Sequence, residues 1–231
     1  ENLSDEWQLV ADLHNKLEGV GLPYSVIQGN HDTVKMLDRF FKDKKNFTNA
    51  AENGTIGYFE GDSLANYYMT FTAKDKSGNA TNNKYLVLNL ECKVPDEVIP
   101  WANQVIEEHS DYQVIINTHE YVQFPNSYFL HRYPTKDEGE ANDPYQIWMK
   151  LASQHENVIM VLSGHLSIPT ISMKNPSVGV NGNTVYEFLI DPQQFDKVQN
   201  YETGMVAMFY FSADGKTVKT EYVSAYKSLE A

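Results

Sequence analysis

Three short, almost wholly apolar runs constrain the fold of this chain more than any other feature. They occupy residues 85–90, 114–116 and 158–162. Each is too short for an ordinary helix and has the composition of a strand that is buried on both faces. Helical patterns separate the runs, over residues 95–109 and 143–155. Strands that alternate with helices in this way predict a layered α/β sheet.

The two ends of the chain extend this pattern. A helix with its cap at Ser4 or Asp5 is predicted up to Gly19, and a strand and a short helix follow over residues 24–28 and 33–42. After residue 165 alternating strands dominate, and we expect an antiparallel C-terminal portion over residues 184–190, 205–212 and 217–224. No linker or repeat interrupts the chain, so residues 1–231 are expected to form a single domain.

Composition and charge exclude several classes of function. The 231 residues include 18 Lys and Arg against 31 Asp and Glu, which gives a formal net charge of −13. So acidic a surface repels phosphate backbones, and we expect no nucleic-acid polymer as a partner. No apolar run reaches the roughly 18 residues of a membrane-spanning helix, so no membrane span is expected. The single cysteine, Cys92, excludes an internal disulfide, and its apolar surroundings favour a buried small side chain over a nucleophile.

Three of the predicted strands end in a histidine. The residues that follow them are Gly-Asn-His-Asp from Gly29, Asn-Thr-His-Glu from Asn117 and Ser-Gly-His-Leu-Ser from Ser163. Ligand sites in such sheets collect at the carboxyl ends of strands. Neutral imidazole is the commonest metal ligand in proteins, and an asparagine oxygen adds a hard donor. A lone histidine at a strand end is usually an ordinary loop residue, but its recurrence at three strand ends favours a metal site.

In this order and spacing, these strand-end sequences resemble the later motifs of calcineurin-like metallophosphoesterases, most of all their secreted bacterial members. The resemblance covers most of the chain. It implies the fold of that family, a layered β-sandwich flanked by helices. It also implies an active site with two metal ions about 3.5–4 Å apart, which clamp a phosphoryl group and activate a water.

The resemblance assigns roles to five residues. Asn30, His119 and His165 match the ligands of one metal. His31 matches the histidine that contacts the phosphate and protonates the leaving oxygen, for which it must lie within hydrogen-bond reach of that oxygen. Asp32 matches the acid that orients this histidine. No substrate-binding residue is assigned.

The chain departs from the family pattern in ways that reduce the expected metal content. The family begins with Asp-x-His and then Gly-Asp-x-x-Asp, and neither motif occurs here, so we expect the sheet to lack the N-terminal strands that carry them. The family's Gly-His-x-His is here Gly-His-Leu-Ser, with Ser167 in place of the second imidazole. One metal thus loses all its protein ligands and the other keeps three of four. At most one divalent ion, of Mn, Fe or Zn type, is expected to bind.

Two classes of function remain open. The chain is either the later part of a phosphoesterase that hydrolyses a small phosphomonoester or phosphodiester, or an inactive pseudoenzyme or surface-binding module with the same fold. By itself it is expected to be inactive or very weakly active. The start at Glu1 without Met and the resemblance to secreted proteins predict an extracellular or cell-surface bacterial location. We expect the N-terminal edge of the sheet to be covered by another chain or by the C-terminal strands, or else to cause self-association of the isolated chain.

Substrate specificity is assigned to two segments, residues 43–83 and the loop 121–142. The loop is rich in aromatic side chains: Tyr121, Phe124, Tyr128, Phe129 and Tyr133. These rings either pack over the edge of the sheet or form a stacking wall for a base or sugar.

Overall fold

The computed structural model describes residues 3–19, 23–42, 54–75, 77–123, 126–128, 141–168, 171–192 and 205–224. Helices α1 to α4 occupy Leu3–Gly19, Val34–Phe41, Val98–Glu108 and Pro144–Ile147, and α4 continues as a π-helical turn over Trp148–Ala152. The strands β1 to β12 occupy Ile56–Tyr58, Tyr67–Lys74, Ala80–Asn89, Gln113–Asn117, Val122–Gln123, Ser127–Tyr128, Val158–Ser163, Ser172–Met173, Ser177–Val178, Thr184–Leu189, Met205–Phe211 and Val218–Ser224. None of these described helices is long and apolar enough to cross a membrane.

A mixed sheet forms the centre of the protein. Its strand order is β1-β2-β3-β4-β7-β10-β8, and β9 also pairs with β10. Strands β3, β4, β7 and β10 run parallel, whereas β1 and β2 join one side of this group and β8 and β9 the other through antiparallel pairs. The predicted α/β class is confirmed, since the three apolar runs lie in β3, β4 and β7. Their parallel course brings the loops after β4 and β7 to the same edge.

One face of the sheet is covered by helices. Three residues of α3, Val98, Ala102 and Ile106, are fully buried in the same cluster as Leu86 of β3 and Ile116 of β4. The π-helical turn that follows α4 adds Leu151 and Ala152 to this cluster. The apolar stripe predicted for the helix over residues 95–109 is therefore the surface that anchors it to the sheet.

The opposite face is covered by the C-terminal hairpin β11–β12 and by the first two helices. The hairpin packs Phe209 against Phe188 and Phe211 against Tyr85, with ring centroids 5.2 Å apart in both pairs. The two strands pair antiparallel, as the sequence predicts. Helices α1 and α2 pack over the other part of this face, in a cluster with two side chains of β2: Ala11, Leu37, Phe41, Tyr67 and Met69.

The prediction of a strand over residues 24–28 is wrong. The segment forms no strand and joins no sheet among the described residues. A side chain takes the place of the missing ladder, because Val26 N donates to Tyr67 Oη at 2.8 Å and Tyr67 Oη donates to Val26 O at 2.7 Å. One tyrosine of β2 thus satisfies both backbone groups of Val26 and holds the segment that leads to Asn30.

Two further predictions need correction. Strand β10 was predicted to be antiparallel. It pairs antiparallel with β8 and β9, but it runs parallel to β7 over Tyr186–Leu189 opposite Met160–Ser163. A charged residue within it, the buried Glu187, gave the run an alternating pattern that resembles a half-exposed antiparallel strand. The helix predicted up to residue 155 begins as predicted, with Asp143 as its cap, but it widens into the π turn and ends at Ala152.

Candidate metal centre

Three polar side chains from distant segments meet at the carboxyl edge of the parallel strands. Asn30 Oδ1 lies 3.0 Å from His119 Nε2, and His119 Nε2 lies 3.2 Å from His165 Nδ1. Asn30 belongs to the turn before α2, and the two histidines follow β4 and β7. The structure therefore brings together the three residues that the sequence predicts as ligands.

The turn that carries Asn30 depends on a close approach at Gly29. A Cβ atom there would lie 3.1 Å from Asp32 Oδ2, which is a tight contact, and 3.4 Å from His119 Cε1, so a side chain at this position would press on the Asp32 carboxylate. Asp32 Oδ2 accepts a hydrogen bond from Gly29 N at 2.9 Å, and Asp32 N donates to Gly29 O at 3.0 Å. The contacts of Asp32 thus close the turn, and its predicted role in orienting His31 stays a prediction.

His165 reaches the site through an uncommon backbone conformation. Its φ of +72° lies in the left-handed region, which costs a non-glycine residue about 1 kcal/mol or more. The conformation is fixed on its N-terminal side, where Gly164 N donates to His119 O at 3.0 Å. Beyond it, Ser167 Oγ donates to Asp191 O at 3.3 Å, so this hydroxyl ties its loop to the end of β10.

The environment of His119 favours its neutral imidazole. The pKa of His119 lies below its usual value, first because the ring is half-buried and second because it faces His165. Asp32 and Asp191 act in the opposite direction. A neutral imidazole is the form that binds a metal ion, so this shift favours His119 as a ligand.

A carboxylate that the sequence analysis did not assign also lies at the site. Glu120 follows His119 directly and is buried, and its Oε1 lies 3.7 Å from His165 Nδ1 and 3.6 Å from Cys92 Sγ. Donor atoms of Cys92, His119 and Glu120 lie within 4.8 Å of one another. The signal in the sequence was the position of Glu120 directly after His119, a predicted ligand. That position alone does not show that the side chains of His119 and Glu120 both lie close to His165.

His31 lies outside this cluster of donors. Its side chain is exposed, beside a cavity of about 380 Å³ between α1 and the turn before α2. Apolar side chains, among them Trp7 and Phe41, form much of the lining. The predicted contact of His31 with a phosphate stays a prediction.

The described part of the aromatic loop packs against the protein. Tyr121 is fully buried, and its ring lies 5.4 Å from that of Tyr128, whose Oη donates to Glu187 at 3.0 Å. Phe124, Phe129 and Tyr133 lie outside the described residues. Within the described part of 43–83, the other segment assigned to specificity, residues form β1, β2 and the start of β3, so much of it is sheet.

Comparison with known proteins adds one distant relative. The chain matches no protein-family model. It is 28% identical over 160 residues to the uncharacterized protein YvnB of Bacillus subtilis strain 168. The match covers 69% of this chain but 11% of YvnB, so the chain corresponds to a small part of that much longer protein.

Proposed function

We propose that the chain is the later portion of a metal-dependent phosphoesterase, which hydrolyses a small phosphomonoester or phosphodiester in the full-length protein. The observation that carries the proposal is the meeting of Asn30 Oδ1, His119 Nε2 and His165 Nδ1 within 3.0 and 3.2 Å contacts. These atoms come from three segments that share no secondary structure element. An amide oxygen and two imidazoles are donors that suit Mn, Fe or Zn.

A bound divalent ion would polarise a phosphoryl oxygen and lower the pKa of a bound water. The residues of the chain would fix the position of this ion. Asn30, His119 and His165 would hold the ion at the edge of the sheet, and His31, next to Asn30 and exposed, is available to donate a proton to the leaving oxygen. The packing of the β11–β12 hairpin on the main sheet supports the metallophosphoesterase-like β-sandwich that the resemblance implies.

The complete enzyme requires ligands that this chain lacks. We propose that other parts of the full-length protein supply the Asp-x-His and Gly-Asp-x-x-Asp motifs, and that the chain alone is nearly inactive. The length of YvnB relative to the match is compatible with such a contribution. A location outside the bacterial cytoplasm and self-association of the isolated chain belong to the same proposal.

An inactive module with the same fold is the second candidate. It is favoured by Ser167, whose hydroxyl is engaged with Asp191 O at 3.3 Å where the family has a second imidazole. The gene sequence upstream of Glu1 separates the two candidates. Asp-x-His followed by Gly-Asp-x-x-Asp in that region favours the enzyme, and their absence favours the module.

The direct experiment measures metal content after dialysis together with turnover of an aryl phosphate ester. We expect at most one ion per chain and very low turnover, with metal lost in His119→Ala. His109→Ala is the matched control, since that ring contacts Val105 O at 2.7 Å at the end of α3 and should leave metal content unchanged. Two tightly held ions, or brisk turnover that His31→Ala abolishes, would contradict our account of the missing motifs.

A further inference from the structure

The carboxylate of Glu120 is buried beside the proposed metal ligands, and its position in the sequence alone does not predict this. The residue is 6% exposed, and a carboxylate at that depth needs compensating partners. Its Oε1 accepts a hydrogen bond from Cys92 Sγ at 3.6 Å and lies 3.7 Å from His165 Nδ1. The carboxylate is therefore held beside the three atoms that we propose as metal ligands.

The nitrogen of His165 that Glu120 approaches shows on which side of the imidazole the carboxylate lies. A carboxylate that only orients a metal-bound histidine contacts the ring nitrogen that does not bind the metal. Glu120 Oε1 instead approaches Nδ1 of His165, the same atom that lies 3.2 Å from His119 Nε2. The carboxylate thus lies on the side of the ring that faces the proposed ion.

Three of the six distances between these donor atoms are known, and they are close to those around a single ion. Four donors about 2.1 Å from a tetrahedral ion lie about 3.4 Å from one another. The contacts between Asn30 and His119, His119 and His165, and His165 and Glu120 measure 3.0, 3.2 and 3.7 Å. All three distances fall close to that separation.

We propose that Glu120 is the fourth ligand of a site for one divalent cation, together with Asn30, His119 and His165. The inference rests on the metal site of the proposed function and adds to it a ligand that the family motifs do not contain. Two neutral imidazoles and an amide bring no charge, so Glu120 supplies a negative charge directly to the ion. Two nitrogens and two oxygens favour zinc, manganese or iron over magnesium or calcium.

Cys92 is a positioning residue for this carboxylate. Its sulfur lies 3.6 Å from Glu120 Oε1 and donates a hydrogen bond to that oxygen. The competing arrangement is a site of Cys92, His119 and Glu120, in which the thiolate binds the ion.

The test measures the zinc affinity of the metal-free chain by calorimetry. We expect Glu120→Gln to weaken zinc binding at least about tenfold, because Gln keeps the shape and loses the charge. Glu91→Gln is the matched control: this carboxylate lies on the loop after β3 and accepts from Asn66 Nδ2 at 2.6 Å, and its loss should leave the affinity unchanged. Cys92→Ser should weaken binding less than Glu120→Gln.

Each outcome has a separate meaning. A wild-type chain that binds no zinc overturns the proposed metal site itself. Wild-type binding with an equal affinity in Glu120→Gln overturns only the role of Glu120, and a larger loss in Cys92→Ser assigns the site to the thiolate instead. Melting curves of the metal-free variants show whether they fold. If Glu120→Gln does not fold, Glu120→Asp replaces it, and an unchanged affinity in that variant overturns the proposal.

Discussion

Two glutamates are buried in the part of the chain that the structure describes, and their surroundings differ. Glu187, at the centre of β10, is fully buried and accepts from Lys174 Nζ at 3.0 Å, Ser177 Oγ at 2.7 Å and Tyr128 Oη at 3.0 Å. Glu120 lies beside a thiol and an imidazole at the edge of the sheet. The first carboxylate meets a cation supplied by the chain. We infer that the second is arranged for a cation from solution.

The largest expected effect is on stability, at Glu187. Glu187→Gln leaves the ammonium of Lys174, whose side chain is 15% exposed, without its carboxylate. Breaking such a buried pair should lower the free energy of unfolding by about 3 kcal/mol. Chemical denaturation measures this, with Lys219→Ala, which removes an exposed ion pair, as the control. Zinc affinity should be unchanged, and a loss no larger than that of the control would contradict the structural role of Glu187.

The next effect separates the two glutamates by their response to metal. Free zinc at about 100 times its dissociation constant should raise the free energy of unfolding of the wild-type chain by about 2.7 kcal/mol. Glu187→Gln should keep this increment, added to its lower stability without zinc. Glu120→Gln should lose at least about half of it at the same zinc concentration. Melting with and without zinc measures both. Equal increments in the two variants would remove the distinction between the carboxylates.

The smallest effect concerns a histidine outside the site. His155 Nε2 lies 2.6 Å from Asn103 Oδ1, and burial lowers the pKa of this ring in the folded protein. The neutral ring therefore contributes stability that is complete above its unfolded pKa of about 6.5 and is lost as the pH falls towards the folded pKa. His155→Gln should flatten the fall of stability between about pH 7 and pH 5. An unchanged pH profile would show that His155 is not the group that titrates.

His155 shows how a long-range contact can override a local pattern. It is the last residue of the helix predicted over residues 143–155, where the helix dipole favours a charged imidazole. The π-helical turn ends at Ala152, and the ring turns back to the side chain of Asn103 instead. Burial then favours the neutral form. A local pattern cannot show this, because the partner lies 52 residues away in α3.

The fold could be predicted where burial imposes a uniform composition. The apolar runs of β3, β4 and β7 are buried on both faces, so their sequences identify them without knowledge of their partners. The meeting of His119 and His165 also followed from the sequence, because residues after the parallel strands β4 and β7 share an edge. Asn30 joins them although no strand precedes it, so its prediction was right for a reason that the structure does not bear out. The predictions of structure that failed depended on single long-range contacts. The hydroxyl of Tyr67 takes the place of strand pairing at residues 24–28. The ammonium of Lys174 pairs with Glu187 and so stabilises a buried glutamate inside β10.

Zinc-edge X-ray absorption of the chain loaded with one equivalent of zinc tests the central claim most directly. The account predicts a shell of nitrogen and oxygen ligands at about 2.0–2.1 Å, with the outer scattering of two imidazoles and no sulfur. Glu120→Gln should change the first shell, and Glu91→Gln should not. A sulfur ligand at about 2.3 Å would assign the ion to Cys92, and fewer than two imidazoles would contradict a site built on His119 and His165.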